Sequence, residues 1–376
     1  MPPPKSYTLT FTGDVMLGRL VDQLFPTHNS NPSTQSTLST FLNAHPALKS
    51  YSHRSPWGTT LPLFHTSDLN LINLETAVTT SNTPWPNKAF NYRMHPDNLK
   101  ALKEARIDYA SLANNHTLDF SEPGLEETVR EVRASGVRFA GVGKECDGAA
   151  VLTLPRDLSS HSFSGGLGAG SESKIEAGSE YKVHVYSASD HPRMWSSFPH
   201  FNFIDYTPAT RVRLKELLTK GVQPALKIFS VHWGPNYTWR PDGEIRSLAH
   251  FLVDECGVDI VHGHSAHHVQ GVEVYRGALI LYGCGDFVDD YALNGEFRND
   301  LGAVWRVVVA DVGGRLGVQR LEVFPTRCER FVVELLGVGE SDHAWVRERI
   351  AGLSREFGTE VRGSLGREGQ FIVDLS

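Results

Sequence analysis

The sequence has few cysteines and no long apolar run. Its four cysteines, Cys146, Cys256, Cys284 and Cys328, are widely spaced and form no CxxC pair, which argues against a disulfide framework and against a four-cysteine zinc site. No apolar segment approaches the roughly 20 residues that a membrane-spanning helix needs, and the first residues do not resemble a signal peptide. We therefore expect a protein without a membrane span, in a reducing, cytoplasmic setting.

Basic charge is also scarce. The chain has 36 Lys and Arg residues against 43 Asp and Glu residues, a net charge of −7. It contains no basic run or stripe, so we do not expect nucleic acid as a partner. A hydrophobic fraction of 40% over 376 residues is normal for a globular protein and permits one large α/β domain or two ordinary ones.

Strand-like and helix-like segments alternate along the chain, which is typical of an α/β fold. The predicted strands cover residues 7–12, 69–74, 109–113, 137–142, 181–188, 225–231, 258–261 and 279–282. The predicted helices cover residues 97–105, 123–135, 209–220 and 245–256. Two more strands, 304–310 and 318–324, flank the pair Gly313-Gly314 and predict a β-hairpin.

The pattern also suggests a domain organisation. Residues 1–325 are predicted to form the main domain, and a Ser/Gly-rich stretch at 156–179 is predicted to be a flexible insertion. Residues 326–376 are predicted to form a small C-terminal αβ appendage, with a helix at 342–355 and a strand at 371–373. No internal repeat is evident.

Five strand-like runs are followed at once by residues of metal-ligand type. They end in Asp14, in Glu75, in the triplet Asn114, Asn115 and His116, in His232, and in a loop with histidines at 262, 264, 267 and 268. In α/β sheets, ligands bind just beyond the carboxyl ends of the strands, so these side chains are expected to converge. Carboxylate, carboxamide and imidazole groups suit Zn²⁺, Mn²⁺ or Fe²⁺ better than Ca²⁺.

Each element taken alone has a structural alternative. Asp14 follows Gly13 and suits a turn, Glu75 suits the first turn of a helix, the Asn-Asn-His triplet suits a capping role, and His232 suits a buried core position. The four histidines within seven residues are harder to explain as a solvated loop. The recurrence of ligand types at strand ends favours a shared metal site.

Together these motifs resemble the CapA family of capsule and poly-γ-glutamate synthesis proteins, which look like relatives of the calcineurin-type metallophosphoesterases. The resemblance runs from about Leu9 to Asp300 and rests on the segments GDVMLGR, NLETAVT, SLANNHTLDF, VHWGPNY, GHSAHHVQGVEVY and LYGCGDF. It implies an α/β fold in which a metallophosphoesterase-like two-sheet β-sandwich is flanked by helices.

The resemblance also implies roles for individual residues. It implies one or two divalent ions, Mn, Zn or Fe, with the ligands Asp14, Glu75, Asn115, His232, His264 and His267. It implies that His116 is the general acid near the leaving group. Two positions depart from the phosphoesterase pattern: Met16 stands where a ligand histidine is expected, and the closing pair is H-x-x-H in place of H-x-H, so that His268 is an alternative to His267.

Further candidates lie near these motifs. Asp119 is predicted to orient His116 as part of the catalytic site, although a charge at a helix entry is an equal alternative. The predicted substrate-binding residues are Arg19, Arg93, Asn114 and His268. Arginine suits a carboxylate or phosphate group, but an exposed loop arginine needs no such role. Asp286 in GCGDF is a further candidate for the same crevice.

These residues predict a metal-dependent hydrolase or transferase that acts on an anionic small-molecule or glutamyl substrate. The candidate bonds are a phosphoester, an acyl phosphate and a γ-glutamyl-type amide. The first alternative is a non-catalytic accessory protein of a polyglutamate or amide-forming system, with a ligase partner. The second is a binding module with a structural metal, which would need a closed coordination shell.

Overall fold

The computed structural model describes residues 5–156 and 180–375. The predicted flexible insertion at 156–179 therefore lies, apart from Arg156, outside the described residues. The strands are β1 Ser6–Val15, β2 Leu69–Leu74, β3 Ala77–Val78, β4 Arg93–Met94, β5 Tyr109–Ser111, β6 Arg138–Ala140, β7 Ala150–Pro155, β8 Glu180–Ser189, β9 Leu226–His232, β10 Ile260–His264, β11 Val272–Tyr275, β12 Ala278–Leu281, β13 Asp286–Val288, β14 Leu301–Val312, β15 Arg315–Glu329, β16 Val332–Leu335 and β17 Phe371–Asp374. The helices are α1 Arg19–Leu24, α2 Gln35–Ala44, α3 Leu61–His65, α4 Lys100–Glu104, α5 Ser121–Ser135, α6 Pro208–Thr219, α7 Gly243–Asp254 and α8 Ser341–Arg355.

Most strands belong to two sheets that pack face to face. The larger sheet has the order β16-β15-β14-β1-β2-β5-β6, with β13 beside β1 and β17 beside β15. The smaller sheet has the order β11-β12-β10-β9-β8-β7. Helices cover the outer faces of both sheets. The predicted fold class, an α/β two-sheet sandwich flanked by helices, is confirmed.

The main hydrophobic core lies between the two sheets. Phe11 and Leu71 from the larger sheet share one buried cluster with Val185 and Ile228 from the smaller sheet. The outer face of the larger sheet packs in a second cluster that includes Leu125 of α5, and helices α6 and α7 cover the smaller sheet in a third. Because strands such as β2 are covered on both faces, all of the residues of β2 are buried and most of them are apolar, as is usual in buried parallel strands.

The predicted hairpin is confirmed and is the longest strand pair of the larger sheet. Val312 of β14 pairs with Arg315 of β15, which leaves Gly313 and Gly314 as the two turn residues. Both have positive φ values, 64° and 90°. A two-residue turn with positive φ at both positions is of type I′, whose twist matches that of the flanking strands.

The helices agree with the sequence prediction in part. Helices α5, α6, α7 and α8 lie within one or two residues of the predicted bounds. The predicted helix at 97–105 is instead a 3₁₀ turn, Pro96–Leu99, followed by the short α4. Helices α1, α2 and α3 were not predicted. Among the described helices, none combines the length and the apolar character that crossing a membrane requires.

The residues after 325 add strands to the larger sheet. Strand β15 runs through the predicted boundary at 325/326, and β16 and β17 both pair with β15. Val346 and Ile350 of α8 belong to the same buried cluster as the residues between the two sheets. The division into a main domain and a C-terminal appendage stays a prediction.

Parallel pairing brings the carboxyl ends of several strands together. Strand β1 is parallel to β2 and to β13, and the register places Asp14 beside Asn73 and beside Asp286. In the smaller sheet, β9 and β10 are parallel, and the register places His232 beside His264. The side chains that end these strands are therefore neighbours, as expected for the carboxyl ends of parallel strands in an α/β sheet.

Candidate metal centre

Asp14 occupies the middle of the candidate site, where β1 ends. Its side chain is buried, Asn73 Nδ2 donates to its Oδ1 at 2.7 Å, and the backbone N–H of Ser265 donates to its Oδ2 at 3.3 Å. Burial raises the pKa of Asp14 above its ordinary value, and the nearby His267 opposes that rise. Asp14 is thus a fixed carboxylate that faces the ends of both sheets.

Two histidines form one half of the site with Asp14, which we call the histidine-rich half: Asp14, His232 and His264. One ligand atom from each lies within 4.8 Å of the others. The Nδ1 atoms of His232 and His264 are 2.9 Å apart, and they lie 4.0 and 3.9 Å from Asp14 Oδ1. Burial lowers the pKa of both imidazoles well below the ordinary value, which keeps them neutral and able to bind a cation.

Three carboxylates meet in the other half, which we call the carboxylate-rich half: Asp14, Glu75, His267 and Asp286. Their ligand atoms also lie within 4.8 Å of one another. His267 Nδ1 is 2.8 Å from Asp286 Oδ1 and 3.9 Å from Asp14 Oδ2. Burial, and then the neighbouring carboxylates, raise the pKa values of Glu75 and Asp286 well above their usual range. Such an arrangement of like charges favours a cation between them.

The orphaned polar atoms of the site fit a bound cation. Among the described residues, Glu75 Oε1, Asp286 Oδ2, His232 Nε2 and Asn115 Oδ1 are buried and have no hydrogen-bond partner. Buried polar atoms are nearly always paired, and leaving one unpaired costs about 1–3 kcal/mol. Oxygen and imidazole donors are the groups that Zn²⁺, Mn²⁺ and Fe²⁺ accept. The donor chemistry and the unpaired atoms therefore suit divalent metal ions.

A histidine–aspartate pair borders the carboxylate-rich half. His116 Nδ1 lies 2.6 Å from Asp119 Oδ2, and His116 Nε2 lies 3.9 Å from Glu75 Oε1. Lys88 Nζ is 2.5 Å from Asp119 Oδ1, and the ring of Tyr92 stacks on His116 at 3.8 Å. Burial lowers the pKa of His116 to about 4, although Asp119 opposes this. Asp119 holds Nδ1, so the other ring nitrogen is left to face Glu75.

The predicted substrate-binding residue Arg19 lies at the edge of this arrangement. Its guanidinium donates to the hydroxyl of Tyr92 at 3.1 Å and stacks over that ring, while its Nε is 3.3 Å from Asp290. Its side chain is 36% exposed, which leaves donors available to a ligand. Tyr92 also stacks on His116, so the Tyr92 ring contacts both Arg19 and the histidine–aspartate pair.

Two other predicted substrate-binding residues are occupied elsewhere. The guanidinium of Arg93 donates to the carbonyl oxygens of Thr80 and Ser81 and lies over the ring of Phe120. The amide of Asn114 is engaged at both ends, since it donates to Leu74 O at 2.8 Å and its Oδ1 accepts the backbone N–H of His116. These contacts support structural roles and give no support to substrate binding.

The four histidines of the 262–268 loop have different surroundings. His264 belongs to the histidine-rich half and His267 to the carboxylate-rich half, so both members of the predicted ligand pair lie in the candidate site. His262 Nε2 lies 2.8 Å from Thr12 O, so this ring joins the two sheets. His268 packs against Trp239, with ring centroids 4.7 Å apart. His268 is not part of either group of ligand atoms, although its Nε2 is buried without a hydrogen-bond partner among the described residues, and its predicted contact with substrate stays a prediction.

Several residues of the site were not singled out from the sequence. Asn73 binds Asp14, Lys88 pairs with Asp119, and the hydroxyl of Tyr291 donates to Glu75 Oε2 at 3.3 Å. The ring of His191 lies 4.9 Å from that of His232. The sequence contained a signal for Asn73, since it is a polar residue within the mostly apolar stretch that forms β2. Lys88 and Tyr291 had none, because they lie in loops of ordinary composition.

The fold and the donor set define a two-sheet α/β protein with a candidate divalent-metal centre at the strand ends. The family described as "Bacterial capsule synthesis protein PGA_cap" matches residues 8–291. Since that match covers most of the chain, the chain belongs to this family, as the CapA resemblance predicted.

Relatives of known sequence agree with this assignment. A probable polyglutamine synthesis accessory protein of Mycobacterium tuberculosis is 33% identical over 381 residues, which cover 95% of this chain and 94% of the relative. The PGA biosynthesis protein CapA of Bacillus subtilis is 24% identical over 301 residues, which cover 75% of this chain and 63% of the relative.

Two solved structures show a distant likeness to this chain. One is a phosphatase from Mycoplasma pneumoniae, with 13% identity and a TM-score of 0.45, covering 87% of this chain and 96% of that one. The other is the calcineurin-like phosphoesterase YfkN of Bacillus subtilis, with 10% identity and a TM-score of 0.40, covering 92% of this chain and 97% of that one.

Proposed function

We propose that the chain is a metal-dependent hydrolase or transferase that acts on an anionic substrate in the synthesis or processing of a γ-glutamyl-type polymer. The observation that carries this proposal is the meeting of buried, unpaired donor atoms from both sheets, with His116 and Asp119 beside them. A purely structural metal would leave no reason for a histidine–aspartate pair at the edge of the cluster. The candidate substrates are a phosphoester, an acyl phosphate and a γ-glutamyl-type amide.

The proposed metal ligands are Asp14, Glu75, Asn115, His232, His264 and His267, with Asp286 added from the structure. A divalent cation held there would polarise the electrophilic centre of the substrate and favour attack by water or by a substrate amine. The ligand histidines are buried and neutral, so they are available without losing a proton first.

The remaining residues of the site orient the substrate and carry a proton. Asp119, neutralised by Lys88, holds His116 at Nδ1. Neutral His116 would accept at Nε2, the atom that faces Glu75, the proton released by the attacking water or amine, and would then donate that proton to the leaving group. Arg19, beside Tyr92, would bind a carboxylate or phosphate of the substrate through its free donors.

The proposal is tested with the purified chain. Its bound metals are measured, and hydrolysis is followed on a panel of phosphoesters, acetyl phosphate and a γ-glutamyl dipeptide, with and without a chelator. We expect activity that a chelator abolishes, that added Mn²⁺ or Zn²⁺ restores, and that His116→Ala removes. His184→Ala is the matched control, since His184 lies on β8 away from the site. Full activity in metal-free protein would refute the proposal.

A second candidate function is that of a non-catalytic accessory protein for an amide-forming ligase. Two observations favour it: the Mycobacterium tuberculosis relative is named an accessory protein, and Met16 replaces a ligand histidine that the phosphoesterase pattern has. Metal-loaded protein that is inactive on the whole panel, yet copurifies with a ligase and raises its rate, would favour this reading. We place either activity in the cytoplasm.

A further inference from the structure

Helix α8 carries a guanidinium that has no polar partner. The Cζ atom of Arg349 lies 4.1 Å from the centre of the Trp239 ring and 5.2 Å from that of the Trp345 ring. Among the described residues, Arg349 takes part in no hydrogen bond and no ion pair, and it is half-buried. Stacking on aromatic faces fixes the plane of a guanidinium while its N–H groups stay available. Arg349 is therefore an oriented cation with unused donors.

The arginines that join the two ends of α8 to neighbouring loops are, in contrast, paired. Arg298, in the loop before β14, donates to Asp300 and to Asp342 in the first turn of α8. Arg240, in the loop after β9, makes two hydrogen bonds with Glu356, which directly follows the last residue of α8. These pairs hold both loops against the helix. A ligand that reaches the middle of α8 thus meets a surface that is already in place.

An aromatic surface connects Arg349 with the candidate metal centre. The ring of Trp239 stacks on that of Phe297, with centroids 4.7 Å apart. The ring of Phe297 lies 5.6 Å from that of Tyr237, which in turn lies 5.7 Å from the ring of His267. The three aromatic residues are half-buried. Because His267 belongs to the carboxylate-rich half, one end of this surface adjoins the centre and the other end bears a free cation. A ligand that contacts both ends has to be elongated.

A free acceptor lies on the same surface. The ring of His268 packs against that of Trp239, and its Nδ1 lies 3.1 Å from the carbonyl oxygen of Val269. Nδ1 therefore carries the hydrogen, and Nε2 of the neutral ring is an acceptor. This Nε2 is buried and has no hydrogen-bond partner among the described residues. An N–H group suits it, whereas a carboxylate suits Arg349. Both groups occur in every unit of an amide-linked acidic chain.

We propose that Arg349 and Trp239 form a remote subsite that binds a carboxylate of an elongated, amide-linked acidic substrate such as a γ-linked glutamyl chain. The inference rests on the proposed function in placing the reacting part of that substrate at the candidate centre. A guanidinium binds a carboxylate through two parallel N–H···O bonds, and the aromatic faces beside it cover the apolar part of the chain. Simple phosphoesters and acetyl phosphate carry no second carboxylate and would not use the subsite.

The experiment measures binding to the full chain by isothermal titration calorimetry. Metal-loaded His116→Ala protein is used, so that turnover does not consume the probes, which are γ-glutamylglutamate and a γ-linked glutamyl hexamer. We expect the hexamer to bind at least about 10-fold more tightly than the dipeptide. Adding Arg349→Gln should weaken hexamer binding by about 10–100-fold, the loss expected for a hydrogen-bonded charge pair, and should leave dipeptide binding unchanged.

Two further variants, made in the same background, separate the subsite from a general effect of charge. Arg355→Gln is the matched control, because Arg355 is exposed at the end of the same helix and its loss changes the net charge equally. It should leave binding of both probes unchanged. Arg349→Lys keeps the charge but loses the planar group that stacks and binds a carboxylate through two donors. Its affinity for the hexamer should lie between those of the parent and of Arg349→Gln.

The outcomes separate this inference from the proposed function. Equal affinities for hexamer and dipeptide, or equal losses in Arg349→Gln and Arg355→Gln, would overturn the inference even if the protein is an active enzyme. Hexamer binding in Arg349→Lys as tight as in the parent would overturn the role of the stacked guanidinium. Hexamer binding that depends on Arg349, in a protein whose wild type turns over no substrate, would support the inference and count against the proposed function.

Discussion

Glu75→Gln should change the stability of this protein in opposite directions with and without metal. Glu75 is fully buried, its Oε1 has no hydrogen-bond partner, and Asp14 and Asp286 lie close to it. Burial, and then these neighbours, raise the pKa of Glu75, so the ionised group destabilises the metal-free fold at neutral pH and above. The glutamine amide removes that charge and can donate towards the unpaired atoms nearby. With metal present, the same change removes a proposed ligand.

The size of both effects follows from general magnitudes. Relief of one unpaired buried group is worth about 1–3 kcal/mol. A cation present at 100 times its Kd stabilises the fold by about 2.7 kcal/mol. Since unfolding entropy is about 2.1 cal/mol/K per residue, a chain of 376 residues should shift its Tm by about 1 °C for each kcal/mol. We expect Glu75→Gln to raise Tm by about 1–3 °C in chelator and to lose a metal-induced gain of about 3 °C.

Differential scanning calorimetry at pH 8, in EDTA and then in excess Mn²⁺ or Zn²⁺, measures the change in Tm without metal and the gain in Tm on adding metal. Glu126→Gln is the matched control, because Glu126 lies exposed on α5. It should change the free energy of unfolding by no more than about 0.5 kcal/mol, with or without metal. A variant that is less stable than wild type in EDTA would contradict the claim that Glu75 is an uncompensated charge. An undiminished response to both metals would show that Glu75 is not a ligand.

Three further changes test other parts of the structure. Asp119→Asn should lower turnover about 10–100-fold with unchanged metal content, because Asp119 orients His116 without joining the metal-ligand groups; loss of metal together with activity would contradict this. Burial raises the pKa of Asp108 to about 6, so the folded state binds its proton more tightly than the unfolded state and stability falls as pH rises from about 4 to 6. Asp108→Asn should therefore add about 1 kcal/mol to the free energy of unfolding at pH 7.5, after allowance for solvent screening, and nothing at pH 4. Urea unfolding at the two pH values measures this difference, and equal effects at both would refute it. Gly13→Ala should lower the free energy of unfolding by about 3 kcal/mol in the same assay, because the added Cβ would lie 1.7 Å from Gly285 O. Near-wild-type stability would mean that β1 and β13 are not packed this closely.

The sequence already indicated which strands end in ligand chemistry. Apolar runs followed at once by Asp14, Glu75 or His232 are local patterns, and parallel strands present their ends at one edge for general geometric reasons. The Gly313-Gly314 turn was predictable for a similar reason, since only glycine adopts positive φ at two successive positions without cost. Local pattern and backbone sterics were sufficient for these features.

Other parts of the site depended on contacts between distant positions. Asp286 joins the cluster because β13 pairs with β1, although 272 positions separate it from Asp14. Arg93 had the right chemistry for an anion, yet its guanidinium is bound by the loop at 80–82. The sequence determined which donor groups the strand ends carry, while the tertiary structure decided which of them share a centre. The physical reason is that strands pair through side-chain packing between distant segments, and the pattern within one strand does not say which other strand lies beside it.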